Sequence, residues 1–84
     1  MSISVRVLLF AALQDAVGES ELTVPLAPED ATSTALLNAL VDAHPAIGPH
    51  RPTLRLAVNQ RYVRGDVPLA DGDEVALITP VSGG

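Results

Sequence analysis

The two most apolar, β-branched stretches of the chain stand at its opposite ends: "SVRVLLF" at 4–10 and "EVALIT" at 74–79. Near-continuous apolar runs of this length read as strands covered on much of both faces, and therefore as central strands. If the first and last strands are both central, they lie side by side in the middle of one sheet. Everything between them then has to wrap around that pair.

The intervening segments fit this frame. "AALQDAVG" (11–18) places Leu13, Ala16 and Val17 at i, i+3, i+4 spacing and closes on Gly18, which suits a left-handed helix cap. "ELTVPL" (21–26) alternates Leu22, Val24 and Leu26, and Pro25 marks it as an edge strand. A helix is predicted over about 32–44. Asp30, Thr32 and Ser33 are its candidate N-caps, Leu36, Leu37, Leu40 and Val41 share its apolar face, and Pro45 stops it. "AIGPHRPT" (46–53) reads as a loop, "LRLAVNQ" (54–60) as a strand with Leu54, Leu56 and Val58 inward, and "RYVRGDVPL" (61–69) as a short strand or turn region. "ADGDE" carries an Asp-Gly turn before the last strand. The expected fold is α+β: a mixed sheet of about five strands, one main helix on one face and a short extra helix. That is the β-grasp, ubiquitin-like arrangement.

Length and composition exclude much. A chain of 84 residues is a single domain (1–84) that buries only about 60–65% of its unfolded surface. It has no room for both a full core and an enclosed catalytic cleft. With 48% hydrophobic residues, disorder is not expected. No cysteine is present, which rules out disulfides, thiolate nucleophiles and zinc–sulfur sites and fits a reducing cytoplasm. A net charge of −5 is the wrong sign for a nucleic-acid partner. The longest apolar run, Val7 to Leu13, is far short of the ~20 residues of a membrane span. The chain therefore reads as cytoplasmic, with neither nucleic acid nor membrane as partner.

The chain ends in "LITPVSGG". Chance alone would give two terminal glycines in about 0.5% of chains, taking Gly at ~7% of residues. Gly83 and Gly84 carry no Cβ and can enter a channel too narrow for any side chain. Pro80 ends the strand and aims the tail away. From Val81 through Ser82 to Gly84, an extended chain reaches about 13 Å, enough to place a carboxylate inside another protein. That carboxylate can attack the α-phosphate of a nucleotide and become an acyl adenylate, from which a sulfur donor makes a thiocarboxylate. The bland alternative is a frayed terminus.

In the first strand Arg6 shares a face with Leu8 and Phe10, so those two apolar residues sit on a solvent-open side; Ile78 does the same in the last strand. If the strands are neighbours, Leu8, Phe10 and Ile78 form an apolar patch near the root of the tail, and Tyr62 can join it. Such a patch marks a protein partner. His44 reads as a helix-end residue. His50 is a loop residue, and the pair makes no metal site. Arg51, Arg55, Arg61 and Arg64 fall in the second half, where they serve either a solvated surface or an acidic or phosphate-bearing partner. No nucleophile–base set or phosphate loop can be assembled, so the chain is not expected to be an enzyme alone.

"VRVLLFAALQDAVG", "LAVNQRYV" and "PLADGDEVALITPVSGG" cover roughly half the chain, in order and up to its last residue. In these segments the chain resembles the MoaD-type sulfur carriers, the small subunits of molybdopterin synthase, within the wider group that includes the thiamine carriers. The resemblance implies a β-grasp fold and a carrier with no stably bound cofactor. It implies adenylation of Gly84 by a ubiquitin-activating-like enzyme using MgATP, conversion to a thiocarboxylate, and sulfur delivery to the cyclic pterin precursor inside the large catalytic subunit. Positions matching Phe10, Tyr62 and Ile78 contact the partners in that family. Two departures bear on docking: Thr79-Pro80 stands where Pro-Pro is common, and Gln14-Asp15 where an Arg-Glu pair is common. The competing expectations are a carrier for thiamine or cysteine synthesis, which "AALQDAVG" argues against in the thiamine case, and a ubiquitin-like modifier joined to lysines.

Overall fold

A computed structural model of the chain describes residues 2–79. Strand β1 (Ile3–Leu9) leads into helix α1 (Ala11–Val17) and strand β2 (Glu21–Leu26). Helix α2 (Ser33–Ala43) follows, then strands β3 (Arg55–Val58), β4 (Arg61–Val63) and β5 (Glu74–Ile78). The sheet order is β2-β1-β5-β3-β4. The first and last strands are neighbours, as their apolar runs predict, and they pair parallel while every other pairing is antiparallel. This is the α+β, β-grasp arrangement.

Strand alternation assigns one face of the sheet to the core. Val5, Val7, Leu9, Val75 and Leu77 are at most 1% exposed. Register lines them up across the sheet: Leu22, Val7, Val75 and Val58 form one row, and Leu9, Leu77, Leu56 and Val63 the next. Leu36 and Leu40 of α2, Leu13 of α1, Ile47 and Leu69 close the cluster. Each fully buried aliphatic side chain contributes about 1.5–3 kcal/mol of transfer free energy. Leu37 and Val41 are half-buried at the margin of the helix's apolar stripe.

The ends of the elements follow local chemistry. Gly18 caps α1 at φ 86°, and its N–H donates to the Gln14 carbonyl. Thr32 is the N-cap of α2, its Oγ1 accepting from the Ala35 N–H at 3.2 Å. Pro25 stands opposite Ser4 in β1, and β2 is an edge strand. The Ser4 N–H points away from β2, to Asp71 Oδ1 at 2.7 Å, so this is a pair without ladder bonds and the missing proline N–H leaves none unmade. Asn59 and Gln60 both take positive φ (50° and 71°) between the paired residues Val58 and Arg61. They form the two-residue type I′ turn that suits a twisted hairpin.

Three sequence expectations need correction. Segment 46–53 lies within a run of 3₁₀ turns (Pro45–Thr53) that buries Ile47; its prolines forbid a regular α-helix yet allow tight turns. Ala16 of α1 is exposed, so only Leu13 and Val17 of its triplet turn inward. Phe10 is not a strand residue. It is the N-cap of α1, and Ala11 after it takes φ 49°, a left-handed conformation that turns the chain out of the sheet at that point.

Candidate functional site: the open face of the sheet

The face opposite α2 carries the predicted contact residues. Register sets Glu21, Leu8, Ala76, Ala57 and Tyr62 side by side across all five strands. Leu8 and Ala76 are half-buried and Ala57 is buried; none of the three belongs to the core cluster, which takes in Ala57's strand neighbour Leu56 on the other face. The two alanines make the middle of the row low. Tyr62 ends it at 70% exposure, and Phe10 stands beyond the end of β1 at 47%; these are the exposed large hydrophobic residues among those described. Ile78, half-buried on the same face, is the last residue of β5 and stands across from Arg55. The parallel register that puts Leu9 beside Leu77 brings the start of α1 and the end of β5 to the same end of the sheet. Phe10 and Ile78 thus flank the point from which the chain continues to its terminus. The predicted tail residues Pro80, Val81, Ser82, Gly83 and Gly84 lie outside the described residues.

Charge divides this face. At one end Arg6 donates to Glu21 Oε1 at 2.8 Å and lies 3.6 Å from Glu74 Oε1. The hydrogen bond to Glu21, its charge, and more weakly the charge of Glu74 raise the guanidinium pKa further. At the other end Arg55 and Arg64 line a shallow cleft with Tyr62, Leu54, Val63 and Gly65.

Sequence reasoning did not find Ala57 and Ala76, because their role depends on register rather than on residue type. It also missed a clasp at the start of α2. Asp66 Oδ1 accepts from the Thr34 N–H at 2.8 Å and from Ser33 Oγ at 3.2 Å, while the buried Ser33 Oγ accepts from the Val67 N–H at 3.0 Å. Hydrogen bonds from Thr34 above all hold the Asp66 carboxyl below the ordinary carboxylate range. The only signal for it was Ser33 as an N-cap candidate. His44, at the C-cap of α2, is half-buried, as is His50. Among the described residues no three His, Asp or Glu side chains group as a metal would require, and no helix is long and apolar enough to cross a membrane.

Comparison with known proteins fits this geometry. The ThiS family model matches residues 7–84. The molybdopterin synthase sulfur carrier subunit of Chlamydomonas reinhardtii is 42% identical over 82 residues, covering 95% of this chain and 98% of that protein. The protein of the same name from Dictyostelium discoideum is 35% identical over the full length of both. Among solved structures, SAMP1 of Haloferax volcanii, a small archaeal modifier protein, superposes with a TM-score of 0.82 at 33% identity over 96% of this chain and 99% of that one. The chain belongs to the ThiS family and is a sulfur carrier of the MoaD type.

Proposed function

We propose that the carboxylate of Gly84 is the working group of this carrier and that the open face of the sheet docks it onto two successive partners. On an adenylating enzyme the carboxylate oxygen attacks the α-phosphorus of MgATP. An acyl adenylate forms and pyrophosphate leaves. A sulfide-level nucleophile then attacks the acyl carbon, AMP leaves with the C–O bond's electron pair, and a thiocarboxylate remains. In the large subunit of molybdopterin synthase that sulfur bonds to a carbon of the cyclic pterin precursor as an oxygen leaving group departs, and water then cleaves the acyl–sulfur bond so that the carboxylate returns. The protein is a carrier subunit rather than an enzyme alone, holds no resident cofactor, and acts in the cytoplasm, where MgATP is available.

The observation that carries this reading is the apolar row ending in Tyr62, with Phe10 and Ile78 at the end of the sheet from which the tail departs. A partner seated there holds the tail's root while Gly83 and Gly84 pass through a channel with no room for a Cβ. The names of the relatives support the pathway. Intact mass spectrometry tests it: with the adenylating enzyme, MgATP and a sulfur source, the chain gains the mass difference between one sulfur and one oxygen. An unchanged mass, with an enzyme shown active on another carrier, refutes it. The likeness to a small archaeal modifier protein favours a second reading, attachment of Gly84 to lysines of other proteins. Higher-mass conjugates that vanish on deletion of the two glycines distinguish it.

A further inference from the structure

The chain carries a net charge of −5, yet residues 54–65 hold Arg55, Arg61 and Arg64 and no acid. That hairpin is +3, which leaves −8 for the rest of the chain (ten acids against Arg6 and Arg51). Alternation separates the three arginines. Arg55 pairs with Ile78 and so lies on the open face; Arg64 stands two residues beyond Tyr62 on that same side. Arg61 pairs with the inward-facing Val58 and belongs to the other side of the outermost strand. Arg55 and Arg64 share one cleft with the exposed Tyr62. Among the described residues neither faces an acid at ion-pair distance, whereas Arg6, at the opposite end of the face, is neutralised by Glu21 and Glu74.

We infer that Arg55 and Arg64 are a charge-selecting rim of the docking face, and that the large synthase subunit meets them with acidic side chains around an apolar seat for Tyr62. This rests on the carrier function proposed above. The cleft adjoins Ile78, so the rim is continuous with the surface that holds the tail's root. An exposed guanidinium pair presents planar donor forks to carboxylates. Two such groups in an otherwise acidic molecule also orient it: the acidic remainder repels an acidic partner, and only this end of the sheet attracts it.

The test is association of the full-length carrier with the large synthase subunit, measured by surface plasmon resonance at low and high salt. The wild type is expected to bind and to lose about 10-fold in affinity as salt rises from ~50 to ~500 mM. Arg55→Glu/Arg64→Glu is expected to bind about 100-fold more weakly at low salt and to lose or invert that salt dependence. Arg61→Glu, on the same hairpin but the other side, is expected to stay within about 3-fold of the wild type. Unchanged melting temperatures confirm that these exposed substitutions leave the fold intact. If the double variant keeps wild-type affinity and salt dependence, or if Arg61→Glu is equally damaging, the inference fails while the carrier reading stands. If the wild type does not bind the large subunit, both fail.

Discussion

The two faces of this sheet are built from the same strands and differ in what they leave uncovered. On the helix side Val5, Val7, Leu9, Val75 and Leu77 are sealed beneath α2. On the other, Leu8, Ala76 and Ile78, each next in the chain to one of these, stay half-covered, and Tyr62 and Phe10 project into solvent. Burial on the first face stabilises the monomer. Apolar area on the second contributes little to the monomer and becomes favourable only when a partner covers it. Adjacent residues of one strand should therefore report on different properties.

The largest expected effect is on the buried face. Leu77→Ala removes a fully buried side chain and should lower unfolding free energy by about 2–5 kcal/mol in chemical denaturation. In a domain this small that is a large share of the total. A loss well under 1 kcal/mol would show that the helix side is loosely packed and would blur the distinction between the faces. One step smaller in energy, and in a different observable, Phe10→Glu should weaken association with the large subunit by about 10- to 100-fold, at an unchanged melting temperature. A collapse of stability instead would move Phe10 to the folding side.

Asp66 sharpens the comparison because it acts on the helix side through charge. Its carboxyl pKa is lowered in the folded chain from an ordinary value of 3.8. A depressed carboxyl contributes fully above its unfolded pKa and loses that contribution as pH falls through the folded one. Wild-type stability should thus decline below about pH 4 more steeply than that of Asp66→Asn, while their affinities for the large subunit stay equal at neutral pH. Parallel acid-unfolding curves would show that the clasp does not stabilise the folded state. The smallest effect belongs to neither face. Gln60 holds φ 71° in the β3–β4 turn, where glycine is the preferred residue, and Gln60→Gly should stabilise the chain by about 0.5 kcal/mol. A loss of stability would mean that the Gln60 side chain contributes more than its backbone costs.

What the sequence made legible was local. The apolar runs at the two ends announced the central pair, Pro25 announced an edge, Gly18 and Thr32 announced helix ends, and Arg6 showed which face of β1 meets water. Each of these depends on the residue itself or on neighbours within a turn. What it hid was long-range. The row Leu8, Ala76, Ala57, Tyr62 exists only once register is fixed, and no pattern in the chain fixes register between strands so far apart in sequence. The Ser33–Asp66 clasp joins residues 33 positions apart. Phe10 was correctly placed in solvent but wrongly in the strand, because an apolar run does not disclose that the next backbone unit turns left-handed.

The division between the faces can be read directly by mapping backbone amide shifts in NMR spectra of the carrier as the large subunit is added. The perturbed signals are expected to cluster at Leu8, Phe10, Arg55, Tyr62, Ala76 and Ile78, with Leu36, Leu40 and the rest of α2 unmoved. A footprint centred on α2 or on the free edge of β2, with the Phe10–Tyr62 row silent, would contradict it.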